Sequence, residues 1–412
     1  MPNGLNKTVL NETHKNLGGT MINFGGSVCG WEMPLWYPSG AVKEHLAVLT
    51  GAGLFDTSHM AVILAEGAGP RDFFNFAFSK DISGLKTGRA AYGLILDERG
   101  FTLDDALIYP LSEERFALVV NAGMSGKVIA HLQKLPGGDK FQWFDLAGRL
   151  AKLDLQGPAS FKILKPLVSE AGSIFDKFPY FSFKGDFNLS ASAVKLTDGT
   201  PVLLSRSGYT GELGFEIFLP VDRATAVWNQ ILNAGEKYGL IACGLAARDS
   251  LRTGAVLPLS HQDIGPWPCI NNPWPWALPL AADGAFTKNF NGRAALEMCR
   301  ATAEHTLPFI GFDPRKVEAA EAKVILEDSE IGTVLTVVAD MSLGRVDGRV
   351  TGLASIDKPE GWVPKGLICG FVKVKERLAP GTVIQLKDAR RQLKAEIASD
   401  IRPGRGARNP LN

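Results

Sequence analysis

Three apolar, β-rich runs at residues 91–96, 101–109 and 115–121 follow one another with only short polar breaks, the first being Asp97-Glu98-Arg99-Gly100. A parallel pairing needs a crossover of a dozen or more residues, so runs this close can join only as antiparallel neighbours. A strand-like segment at 60–64 precedes them, with a helix opened by Pro70 and rich in phenylalanine as far as residue 78. An amphipathic helix at 125–135 follows and stops at Pro136-Gly137-Gly138. Strand, helix, three strands, helix is an α+β pattern, and it makes residues 56–136 one unit.

The flanking sequence reads as a second α+β unit. Helical periodicity at 41–49 is stopped by Gly51 and Gly53. Strands are expected at 150–155, 193–196, 202–206 and 214–219, with one helix starting from Pro158 and another over 222–238 that ends at Gly239. Residues 258–279 then hold six prolines and three tryptophans, too irregular for long helices. Beyond residue 308 short β-type runs at 323–326, 332–338, 370–374 and 383–386 predict a small C-terminal barrel or sandwich.

The charge balance removes several function classes. Of 412 residues, 44 are Lys or Arg and 43 are Asp or Glu, so no global field draws the chain to nucleic acid or an anionic membrane. The basic tail bearing Arg402, Arg405 and Arg408 reads as a solvated end. Residues 1–7 lack the basic and apolar stretches of a signal peptide, and no apolar run approaches the roughly 20 residues of a membrane span. Five scattered cysteines, Cys29, Cys243, Cys269, Cys299 and Cys369, without a CxxC, point to reduced thiols and a cytoplasmic protein with no metal site. No GxGxxG, GxxxxGK[ST], GxSxG or HExxH occurs, so nucleotide cofactors lose their usual signatures.

Several residues nevertheless carry chemistry. On the run 101–109, period two puts Leu103, Asp105, Leu107 and Tyr109 on one face and Thr102, Asp104, Ala106 and Ile108 on the other. At least one carboxylate therefore meets a covered surface, where it must be paired or line a wet cleft. Glu216 stands opposite Phe215 and Ile217, which alone reads as a solvent-side position. The segment 247–252 reads as an ordinary helix with intrahelical charges. The aromatic loop 30–37 is either core or a stacking surface for a planar ring, and His59 and His261 have no partner at ligand spacing.

The order of the motifs is more specific than any one of them. Gly30-Trp31-Glu32-Met33-Pro34-Leu35, Phe55-Asp56-Thr57-Ser58-His59-Met60, Gly100-Phe101-Thr102-Leu103-Asp104-Asp105, Val119-Val120-Asn121-Ala122 and Gln156-Gly157-Pro158 appear in turn. Then come Gly208-Tyr209-Thr210-Gly211-Glu212-Leu213-Gly214-Phe215-Glu216, Gly244 through Arg252, and Asn291-Gly292-Arg293. This series resembles the glycine cleavage system T-protein family of tetrahydrofolate-dependent aminomethyltransferases and their relatives. The resemblance implies an α+β, three-domain cloverleaf: 1–55 with 137–260, an inserted 56–136, a connecting 261–307 and a β-barrel at 308–412, with tetrahydrofolate in the central channel. It further implies Asp105 as the catalytic carboxylate, Tyr92, Asn121, Tyr209, Glu216 and Arg248 along the folate channel, and Met60 near the substrate. The implied partner is a lipoyl-bearing carrier protein.

The sequence also departs from the family. The usual Leu-Glu-Ala-Gly after the helix around Arg248 is replaced by Thr253-Gly254-Ala255-Val256, followed by the Pro/Trp segment. These changes leave two other readings open: a folate-dependent demethylase of a small methylated sulfonium, amine or aryl ether, and a folate-binding protein without transferase chemistry. The tryptophans of 258–279 are expected either to seal an inter-domain joint or to reshape the substrate mouth.

Overall fold

The computed structural model describes residues 4–25 and 30–411; Cys29 and the first three residues lie outside them. The expected antiparallel group is a five-stranded sheet in the order Ala91–Leu96, Thr102–Pro110, Arg115–Val120, Ala61–Glu66 and Gln142–Asp145. Four of its strands agree with the sequence pattern to within a residue or two because alternation and turn chemistry point the same way. Asp97 closes the first turn by accepting hydrogen bonds from the backbone amides of Arg99 and Phe101, both at 3.0 Å. The helices Pro70–Ala77 and Ser125–Lys134 supply Phe73, Phe74, Val128 and Leu132 to one core cluster with this sheet. The edge strand Gln142–Asp145 comes from beyond residue 136, so this sheet extends further along the chain than the sequence pattern indicated.

A six-stranded sheet runs in the order Phe183–Lys184, Leu203–Ser205, Gly214–Pro220, Leu150–Gln156, Gly53–Asp56 and Ile241–Ala242. All its pairs are antiparallel except the last. Its core gathers Leu153, Leu155, Phe215 and Ile217 with Trp228 and Ile231 of the helix Ala224–Gly235. The strand expected at 193–196 is absent as such. That segment makes only isolated bridges, Leu196 with Val168 and Lys195 with Pro201, because its neighbours are loops rather than a strand that could extend the ladder.

The C-terminal β runs close into a six-stranded barrel: His305–Gly311, Leu367–Val374, Ser329–Asp340, Lys323–Leu326, Val383–Lys387 and Gln392–Ile397, the last pairing back to the first. Closure leaves no open edge. Residues 258–279 contain no helix beyond the turn Pro275–Ala277. Their apolar side chains join Leu94 and Leu96 of the five-stranded sheet to Phe371 of the barrel in one cluster.

The tail is not a solvated end. Arg402 is only 2% exposed. Its guanidinium donates to Asp340 Oδ2 at 3.2 Å and to the Thr210 carbonyl at 2.5 Å. Asp340 also holds His45 Nε2 at 2.9 Å, so one buried carboxylate ties the barrel to the helix Ala41–Thr50 and to the tail. Among the described residues no helix is long and apolar enough to cross a membrane.

Candidate functional site

Two of the ordered motifs, that at Gln156 and the run Gly208–Glu216, are folded around each other. The side chain of Gln156 lies between Gly208 and Gly214, where any β-carbon would approach it to 2.0 and 2.4 Å. Its amide donates to the Ser207 carbonyl at 3.2 Å, and its oxygen accepts from Thr210 Oγ1 at 3.0 Å. This packing fixes the turn that carries Tyr209 and starts the strand that carries Glu216.

On the neighbouring sheet, Asp104 and Asp105 separate as their alternation requires. Asp104 is fully buried, whereas Asp105 is half-buried and lines a cavity of about 2030 Å³. Asp105 Oδ2 accepts from the Tyr92 hydroxyl at 2.7 Å and Oδ1 from the Asn121 amide at 2.6 Å. Asp104 receives the Asn121 backbone amide at 3.0 Å and the Ser260 hydroxyl at 3.2 Å. His261 Nε2 stands 3.5 Å from the same carboxylate. Burial and the adjacent Asp104 charge push the Asp105 carboxyl above its ordinary range, against the hydrogen bonds it accepts. Burial also keeps the Tyr92 hydroxyl protonated, so it stays a donor. The Asp104 carboxylate pushes His261 up.

Met60, Tyr92, Asp105, Asn121, Tyr209, Glu216 and Arg248 all line this one cavity, although they come from strands of two sheets, a helix and three connecting segments. The Arg248 guanidinium lies 4.8 Å from the Tyr209 ring centre and donates to Asp154 Oδ2 at 2.9 Å. The Tyr209 hydroxyl bonds to the Pro258 carbonyl. Glu216 is not solvent-side as alternation alone indicated. It is 5% exposed, because the face opposite Phe215 turns into the cavity. His59 lines the wall too, packed against Phe24 at 5.3 Å. Its Nδ1 is buried without a hydrogen-bond partner among the described residues, and burial lowers it to about 4.

Sequence reasoning passed over Lys152, Asp154, Ser260 and the cavity role of His261. A Lys and an Asp two residues apart inside the apolar run 150–155 were the available signal. The three tryptophans divide. Trp274 is 3% exposed, donates to the Val256 carbonyl at 2.8 Å and packs on Phe371 at 5.3 Å, so it seals the joint to the barrel. Trp276 lines the cavity and lies 4.9 Å from the Tyr92 ring. The ring of Trp267 carries the Lys373 ammonium at 4.6 Å. The basic tail also reaches the cavity through Arg405 and Arg408, the latter 5.3 Å from the Tyr180 ring. No group of three or more His, Cys, Asp or Glu among the described residues could hold a metal ion.

Residues 10–267 match the GCVT N-terminal domain. The chain belongs to the GCVT family. Within that family it is 39% identical over 300 residues to an aminomethyltransferase of Symbiobacterium thermophilum, covering 72% of this chain and 75% of the relative. An aminomethyltransferase of Bacillus cereus strain AH820 is 35% identical over 354 residues, covering 86% of this chain and 90% of its own. The structure of the glycine cleavage system aminomethyltransferase T from Bartonella henselae superposes with a TM-score of 0.75 at 28% identity, covering 96% of this chain and 97% of that one. That overlap takes in the barrel as well as the part matched by the family's N-terminal domain.

Proposed function

We propose that this GCVT family protein is the tetrahydrofolate-dependent aminomethyltransferase of a glycine cleavage system, acting on an aminomethyl group borne by a lipoyl carrier protein. The observation that carries the reading is the convergence of Asp105, Tyr92, Asn121, Tyr209, Glu216, Arg248 and Met60 on one cavity. Tetrahydrofolate, as co-substrate, supplies the nitrogen that takes up the methylene unit as ammonia leaves. The residues suit such a molecule. Glu216 offers a carboxylate to the donor edge of a pterin, Tyr209 and Tyr92 offer ring faces, and the unpartnered buried His59 Nδ1 is a polar atom awaiting a ligand.

Asp105 is the proposed catalytic carboxylate. Tyr92 and Asn121 fix both of its oxygens, so its charge is oriented before the substrate arrives. A carboxylate in that setting stabilises the positive charge that develops on the aminomethyl carbon and nitrogen. Arg248, held by Asp154 over the Tyr209 ring, braces one wall.

The proposed layout has three units around a central folate channel: residues 1–55 with the segment after residue 145 to about 260, the inserted sheet from 56 to 145, and the barrel from 308, joined by 261–307. The separate core clusters of the two sheets and the barrel support that division. The four described cysteines are free, in keeping with a reducing, cytoplasmic setting.

The deciding experiment is turnover with tetrahydrofolate and aminomethylated lipoyl carrier protein, reading ammonia and methylene-tetrahydrofolate, beside a panel of methylated sulfoniums, amines and aryl ethers. Ammonia release dependent on both folate and carrier is expected. Methyl-tetrahydrofolate formed only from a small methylated donor overturns the reading.

A further inference from the structure

Beneath Glu216 lies a lysine with no part in the reaction as set out above. Lys152, on the strand Leu150–Gln156, is 2% exposed and reaches the neighbouring strand Gly214–Pro220. Its ammonium donates to Asp154 Oδ1 at 2.6 Å, to Thr57 Oγ1 at 3.1 Å and to Glu216 Oε1. All three of its protons are thereby used. The other Glu216 oxygen accepts from the Ser207 hydroxyl, and the other Asp154 oxygen accepts from Arg248. Glu216, Lys152, Asp154 and Arg248 thus alternate in sign along one chain of contacts, and its two ends line the cavity.

A buried lysine between two carboxylates is a poor device for stability alone. An apolar group of similar volume commonly does as well, and removing one partner leaves a bare charge. Its value here is to the carboxylate it holds. Without an ammonium beside it, a carboxylate this buried takes up a proton and ceases to be a pure acceptor. We propose that Lys152 is a positioning residue for ligand recognition, holding Glu216 ionised and in place at the cavity wall so that it accepts hydrogen bonds from the donor edge of the bound pterin. The inference rests on the folate reading above and names the device on which that reading depends.

The charged and titratable groups facing Glu216 are Lys152 and Asp154 on the adjacent strand, Tyr109 of the other sheet, and Tyr180. Arg248 joins them through Asp154. Burial raises both tyrosines, and His59, which feels Lys152, is lowered to about 4, so none of these three titrates between pH 6 and 8. The test is calorimetric binding of tetrahydrofolate by the full chain across that window.

Wild-type affinity is the reference at each pH, because His261, raised by Asp104, lines the same cavity in both proteins. In Lys152→Met affinity relative to wild type is expected to fall at least tenfold at pH 6 and to recover as pH rises. A Lys152→Met protein binding within twofold of wild type throughout, or losing the same factor at every pH, overturns the proposal. If that variant does not fold, Glu216→Gln and Lys152→Met/Glu216→Gln replace it. Equal affinities for those two support action through Glu216, and a further tenfold loss in the double variant overturns it. No heat with the wild-type protein removes the folate reading and this inference together, whereas binding that Lys152→Met leaves intact removes this inference alone.

Discussion

Asp104 and Asp105 are neighbours on one strand, yet both carboxylates accept hydrogen bonds from the same side-chain amide, that of Asn121, at 2.8 and 2.6 Å. One is sunk in the sheet and the other borders the cavity. The shared amide makes their charges a unit, with Asp104 fixing the electrostatic setting in which Asp105 works.

Asp105→Asn keeps the shape of the carboxylate and removes its charge. Turnover is expected to fall roughly a hundredfold or more, while tetrahydrofolate affinity changes less than about threefold. Steady-state kinetics beside calorimetry separates the two effects, and a variant that loses affinity but keeps turnover would assign Asp105 to binding instead.

The raised Asp105 carboxyl predicts an acid limb in kcat/KM above the ordinary aspartate value of about 3.9, because the ionised form is the working one. Removing the neighbouring charge in Asp104→Asn favours ionisation of Asp105, so the limb moves to lower pH. His261 is also raised by Asp104, and a His261→Gln protein distinguishes the two groups. Because both groups respond to Asp104, the histidine variant decides: a limb that disappears in His261→Gln belongs to the histidine, and one that persists there belongs to Asp105.

Arg402→Met is expected to destabilise the protein by about 3 kcal/mol at pH 7, since it strips a buried partner from Asp340 and a donor from the Thr210 carbonyl. The folded-state pKa of Asp340 is depressed by His45 and Arg402. Its stabilisation is therefore present above the unfolded value of about 3.9 and is lost as pH falls through the lower folded value. Urea melts of wild type and variant should converge in strong acid, and a gap that stays constant with pH would assign the loss to packing.

Trp274→Leu should lower the melting temperature by several degrees with donor KM unchanged, since the ring seals the sheet–barrel joint and does not itself line the cavity. Trp276→Leu should do the reverse, altering KM with the melt preserved, since its ring flanks Tyr92 at the cavity. Matching shifts in both readouts for both variants would erase the division.

Much of this could be read from the residues. Period-two alternation and the Asp97–Gly100 turn located the central strands, and the resemblance carried by the ordered motifs implied seven residues that share one cavity. Glu216 shows where local pattern stops. Alternation places it on the face away from Phe215, but not whether water or another part of the chain covers that face. Arg402 was misjudged for the same reason. Its partners Asp340, Thr210 and Glu212 lie 62 or more positions away, and no window of sequence contains them. Lys152 was hidden because a lysine in a strand normally snorkels to solvent, and only the three-dimensional neighbours reveal that this one cannot.

The tail has a bearing on how the protein comes to work at all. Wall residues of the cavity range from Phe24 to Arg408, so its last pieces are made only after both sheets and the barrel. Residues 402–407 lie along Thr210, Gly211 and Glu212, the turn that opens the strand carrying Glu216, through contacts made by Arg402, Gly406 and Ala407. A polypeptide without them lacks the contacts that hold Thr210, Gly211 and Glu212 and part of the cavity wall. Ligand capture therefore reports on the integrity of a wall assembled from both sheets, the helix Leu245–Gly254 and the segment beyond the barrel.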